Sequence, residues 1–358
     1  MTVSGMTRSR TPRRLALLLT VLTALTTLGT ATAATAATAA PATTGTPAAA
    51  AAAKPRAGEL ITVRLDELRP TQAALGHDQI RYKLGRYTST KDEDRGKPNK
   101  KYDDWCEANG QGEAATVRPD ARLDKPQRFT CTIPLGQETA ESLAAMKTVV
   151  VGPRGRLHLT DGHHTFTSFL EMPDGGKNMK IRVRVTDNLS RLSERDFWRE
   201  MNDRGYLWLR DAADRPITPA QLPTRLGLRT MADDPYRSLV YFARDIGYRK
   251  PDLADGPAPE FLEFFWARWL RTQPALDPAR HDRTDLGTYL ALIEDTARAM
   301  VALDAGTPLP GSGRTAAELG RLDAFDNKEF AALSAPMTDS KPGKPAYALS
   351  YRSAPGCR

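Results

Sequence analysis

Between Gly155 and Leu170 a strand pattern runs directly into a helix pattern, and this junction constrains the fold more than any other stretch of the chain. Gly155-Arg-Leu-His-Leu-Thr alternates as a short strand. Phe166, Phe169 and Leu170 then recur at i, i+3, i+4, with Asp161 placed as the helix N-cap. Three of the five histidines, His158, His163 and His164, fall within seven residues. The N–H groups of Gly162, His163 and His164 would leave the helix end at positive potential, a geometry suited to phosphate or another anion.

The same residues suggest chemistry. An imidazole near its ordinary pKa exchanges protons at neutral pH, so His163 and His164 are candidate catalytic groups for phosphodiester hydrolysis. Asp161 is a candidate to orient a histidine or to bind a divalent metal through oxygen. Arg154 and Arg156, just before the junction, are candidates to neutralise phosphate charge. The plainer reading is that Asp161 only caps the helix, for about 1 kcal/mol, with one histidine buried against the strand. His158 alternates onto one strand face and reads as structural. His77 and His281 have no supporting context.

The chain begins like an exported protein. Arg8, Arg10, Arg13 and Arg14 form a basic region, an apolar run follows from Leu15, and Ala-Thr-Ala at 31–33 offers a cleavage site. The apolar run dissolves into Thr, Gly and Ala after Leu28, which is short for a bilayer anchor. Residues 1–34 are therefore read as a signal peptide and the mature protein as secreted. No later apolar run is long enough to span a membrane. Residues 35–58 are Ala, Thr and Pro with almost no large apolar side chain, a flexible tether. The formal charge of +8 falls to +4 once the four leader arginines are gone, too mild to imply nucleic acid by itself. Of three cysteines, Cys106 and Cys131 are expected to pair in an oxidising compartment, and Cys357 reads as a free thiol on a loose tail. No cysteine or histidine spacing argues for zinc.

Along the folded part, strands are expected at 60–65, 148–151, in the stretch ending at Asp161, and at 179–185. Residues 66–72 read as a turn, and residues 88–128 as a long polar insertion. A short helix is expected at 138–147. Ser193-Glu-Arg-Asp196 and Asp234-Pro235 open later helices, with further helices at 261–270 and 286–303. The aromatics at 261–269 read as core packing rather than as a surface for stacking bases. The expected fold class is α/β (α+β): a mixed-sheet core at 59–190, a helical segment at 191–304, and a mostly irregular tail at 305–358 with one short helix near 315–322.

In that order of elements the chain resembles the ParB/sulfiredoxin superfamily, and within it the bacterial ParB-like nuclease branch. Three ordered stretches carry the resemblance: Leu68 to Gly76, Val149 to Leu170, and Asp233-Asp-Pro-Tyr-Arg-Ser-Leu239 with Phe261-Leu-Glu-Phe-Phe-Trp-Ala-Arg. The resemblance implies that Asp161, Gly162, His163 and His164 form a phosphate corner for a nucleotide or nucleic acid, with Thr71 and Gln72 lining it. The partition proteins carry an acidic residue and two arginines where this chain has His163 and His164. Sulfiredoxin needs a reactive Cys where Gly162 stands. Because ATP and CTP are scarce outside cells, the expected function is a secreted phosphodiesterase or nuclease. The alternatives are a non-catalytic module that binds an anion or a partner, or a surface protein whose helical half serves a partner. The cofactor stays open, with a divalent metal as the candidate.

Overall fold

The computed structural model describes residues 55–250 and 260–354. The expected signal peptide, nearly all of the tether, and Cys357 lie outside the described residues.

A five-stranded mixed sheet is built from β1 (Leu60–Arg64), β2 (Leu68–Pro70), β6 (Thr148–Val151), β7 (Leu157–Leu159) and β8 (Lys180–Asn188), in the order β1-β8-β6-β7-β2. β1 pairs antiparallel with β8, β8 parallel with β6, β6 antiparallel with β7, and β7 parallel with β2. The Val-rich β6 is buried on both faces, as its unbroken apolar run demands. Val149 and Val151 pack with Phe166, Phe169 and Leu84, whereas Val150 packs with Phe197 and Met201. Helices α1 (His77–Tyr87) and α4 (His163–Glu171) bring the first of these groups, and α5 (Glu194–Asp203) the second.

Three expectations change. Residues 68–70 are a strand rather than part of a turn; β2 is the sheet edge, where Pro70 need not donate to a second neighbour. The insertion at 88–128 holds the helix α2 (Lys100–Ala108) and the strand β4 (Ala114–Val117), which pairs with β5 (Phe129–Cys131). A disulfide joins Cys106 to Cys131 and staples α2 to this hairpin. The segment after 305 has its helices at α9 (Asn327–Leu333) and α10 (Lys344–Ser353), whereas residues 315–322, expected as a short helix, form turns between bridges.

The short α3 (Ala140–Ala145) lies where expected, and Ser193 caps α5 by accepting the Asp196 N–H. β3 (Ala74–Leu75) pairs with β9 (Ala232–Asp233) and holds the two halves of the chain together. Asp234 then caps α6 (Pro235–Ala243), accepting the N–H groups of Tyr236 and Arg237. With α7 (Leu262–Leu270) and α8 (Leu286–Ala302), α6 encloses a second core of Phe242, Trp266, Tyr289 and Ile293. α10 lies against α1, with Gly85 so close that a Cβ there would meet the Tyr347 carbonyl oxygen at 2.3 Å. Buried Asp78 of α1 accepts from Arg81, Arg283, Tyr289 and Arg352, tying α1 to α8 and α10. Among the described residues, no helix is long and apolar enough to cross a membrane.

Candidate anion-binding site

The strand-to-helix junction opens onto a cavity of about 430 Å³. Asp161, Gly162, His163, His164 and Thr165 form one wall, Gln72 and α1 another, and α6 and α7 the third. The N-cap of α4 is Gly162, not Asp161; its φ of +100° turns the chain into the helix, and no side chain caps the first turn. Asp161 stands one residue earlier and faces Lys147 at 3.6 Å. The reason is a half-buried lysine that needs a counter-charge. Burial works against the charge on Lys147, but Asp161 and then Glu107 hold its pKa above the ordinary lysine value. Asp161 keeps an open side to solvent; desolvation at the cavity wall opposes its carboxylate, but Lys147 and Lys250 keep its pKa below the usual value.

Both histidines have their Nε2 atoms occupied. His163 Nε2 accepts the Thr71 N–H, and His164 Nε2 accepts the Gly76 N–H, each at 3.1 Å. Accepting from an amide fixes the ring proton on Nδ1. Burial pushes His163 down to about 4. Burial, then the charge of Arg237, holds His164 well below the ordinary histidine range. At neutral pH both rings are neutral braces between α4 and the segment that leaves β2. His158 is also buried, packed against Phe197 and Trp198, as its strand position implied.

Thr71 is fully buried and donates its hydroxyl to the Leu159 carbonyl at 2.7 Å, so it shapes the corner without lining the cavity. Gln72 does line it, with its amide donating to the Ala74 carbonyl. Arg154 and Arg156 are not brought to the site. They precede β7, whereas the cavity lies beyond its other end, and a strand separates its two ends. Arg154 is exposed, and Arg156 faces Glu194 at 3.5 Å.

The cavity's charge comes mainly from elsewhere. Arg237 of α6 is only 4% exposed, yet its Nε and Nη1 have no hydrogen-bond partner. Its Nη2 lies 3.5 Å from Glu263 of α7, which also faces Arg244 at 3.7 Å and Lys250 at 3.8 Å. Burial would raise the Glu263 pKa, but these three cations hold it well below the carboxylate range. On the α1 side, Lys83 and Lys100 meet buried Asp104 at 2.5 and 3.0 Å. In all, seven Lys and Arg residues line the cavity against five Asp and Glu. Among the described residues, no three His, Cys, Asp or Glu side chains are grouped to hold a metal ion.

Residues 61–272, more than half of the chain, match the family described as "Putative ParB-like nuclease". The chain belongs to the ParB-like nuclease family. A search of the solved structures finds protein Atu1540 from Agrobacterium tumefaciens, at 21% identity and a TM-score of 0.46, covering 71% of this chain and 95% of that one. A search of curated proteins found no match.

The region that defines this chain as ParB-like thus includes the whole junction and both Arg237 and Glu263. Sequence reasoning marked Asp233 to Leu239 and Phe261 to Arg268 as family stretches, but only as marks of kinship. The signal within them was charge: an Arg in an otherwise apolar helix start and a Glu in the most aromatic helix of the chain. Lone charges in apolar helices are buried only when paired or when held for a ligand.

Proposed function

We propose that this ParB-like protein is an exported phosphodiester hydrolase whose cavity holds a phosphate-bearing ligand, a nucleotide or a nucleic-acid strand. The observation that carries this reading is Arg237. Two buried guanidinium donors without acceptors cost roughly 1–3 kcal/mol each, so such an arrangement persists where an anionic ligand supplies the missing oxygens. The uncapped start of α4 and the nearby Lys147 and Lys250 add positive potential on the same cavity. The immobilised histidines offer Nδ1–H groups to an anion rather than a free base. Proton exchange falls instead to Glu260. Desolvation at the cavity wall, then repulsion from Asp161, pushes its carboxyl up to about 7, although the residue keeps an open side to solvent. Export rests on the leader sequence, and the Cys106–Cys131 bond supports an oxidising compartment.

The test is incubation of the mature chain with labelled DNA, RNA and nucleotides, with and without Mg²⁺, beside Arg237→Gln. Cleavage by the native chain and its loss in the variant are expected. Absence of both binding and cleavage in the native chain would overturn the reading. One observation favours a second reading, a non-catalytic anion-binding module: both imidazole Nε2 lone pairs are spent on backbone amides. Binding that depends on Arg237 without cleavage under any condition would select it.

A further inference from the structure

We infer that the C-terminal segment builds a second anion subsite beside the first, and that the combined cavity fits a nucleic-acid strand of at least two nucleotides rather than a mononucleotide. This inference rests on the phosphate reading above. A second cavity of about 210 Å³ adjoins the first, and the two share Tyr82, Arg244 and Lys344. Lys344 is the first residue of α10, beyond the family-matched region, and follows Gly343 without a side-chain cap.

Two cations meet over one ring at this seam. The Lys344 ammonium lies 5.3 Å from the centre of the Tyr241 ring and the Arg244 guanidinium 4.9 Å from it. The carboxylates nearest Arg244, on Glu263 and Asp245, lie at 3.7 and 3.9 Å, beyond hydrogen-bond reach. Lys344 has no carboxylate within ion-pair distance among the described residues. Burial, then the Arg244 charge, lowers its pKa to about 8 against the opposing pull of Asp245 and Glu329, which also line the second cavity. Other arginines of the second cavity are committed: Arg86 and Arg95 bind Asp92 at 2.9 and 2.5 Å. An anion at the seam would therefore be held by Arg244 and Lys344. The Tyr82 and Tyr241 rings, 6.1 Å apart, form the aromatic floor beneath these cations.

With Arg237 holding one phosphate in the first cavity and Lys344 the next, a dinucleotide gains a contact that a mononucleotide lacks. Calorimetric titration of the mature chain with pdTpdT and with dTMP reads this directly. The native chain should bind pdTpdT about tenfold more tightly, as one charge-assisted contact is worth about 1.4 kcal/mol. In Lys344→Gln that preference should fall to within about twofold, chiefly through lost pdTpdT affinity, and Lys344→Arg should restore it. Arg237→Gln should weaken both ligands. Equal affinity of the native chain for the two, or a preference unchanged in Lys344→Gln, overturns the second subsite alone. Failure of the native chain to bind either ligand overturns the phosphate reading and the second subsite together.

Discussion

The imidazole of His163 accepts the backbone N–H of Thr71 at 3.1 Å, a bond that joins residues 92 apart in the chain. It fastens the start of α4 to the segment leaving β2, and His164 repeats the device five residues further along that segment, at Gly76. The corner is rigid because its own side chains hold its backbone.

Replacing His163 therefore acts on stability before chemistry. His163→Ala leaves the Thr71 N–H buried without an acceptor and opens a gap, a loss of about 3 kcal/mol. His163→Gln places an amide oxygen near the same position and should recover at least half of that. Urea unfolding of the two variants measures it; equal loss in both would show that the hydrogen bond contributes nothing.

Acid should weaken the fold through the same rings. His163 and His158 are each pushed down to about 4, from 6.5 in the unfolded chain. As pH falls below about 6.5 the unfolded chain takes up protons that the folded chain rejects, so stability present above 6.5 is lost progressively toward pH 4. Each ring accounts for up to roughly 3 kcal/mol. Unfolding measured at pH 7, 5.5 and 4.5 should show this decline, with a shallower slope in His163→Gln. An identical slope in the variant would exclude His163 as a source.

Gly162 is fixed twice over. Its φ of +100° disfavours any side chain, and a Cβ there would sit 2.5 Å from Cγ of Lys147. Gly162→Ala should cost about 2–4 kcal/mol. It should also displace Lys147 from Asp161, which a crystal structure of the variant would record. A fully stable variant with Lys147 in place would contradict both points.

The Cys106–Cys131 bond closes a loop with a sequence separation of 25. By loop entropy its reduction should lower stability by about 3 kcal/mol. Thermal melting with and without reductant tests this, and a Cys106→Ser/Cys131→Ser double variant should melt as the reduced native chain does. An unchanged melting temperature would mean that packing of Trp105 and Tyr102 on Phe129 holds the hairpin unaided.

The junction was legible in the sequence because its signals are local. Alternation to Leu159, a glycine at 162 and the Phe166–Phe169 spacing each depend on a few neighbouring residues. Misreadings arose where local chemistry and tertiary placement diverge. Asp66, Glu67 and Pro70 carry turn composition, but an edge strand tolerates proline. Asp161 has the chemistry of a cap, yet Lys147, far away in sequence, claims its carboxylate. Arg154 and Arg156 are close to the corner along the chain and at the wrong end of β7. Arg237 and Glu263 stand 26 residues apart on two helices, and no short-range pattern says that both will face α4.

The bond between Asp78 and Arg352 and the closeness of Gly85 to Tyr347 give α10 a standing that family boundaries do not convey. The recognisable region ends at residue 272, but its first helix keeps one flank covered by the last helix of the chain. What is inherited as a motif and what folds as a unit are therefore different lengths of polypeptide. Changes near residue 350 can reach the corner at residue 163 through α1 without altering anything by which the family is recognised.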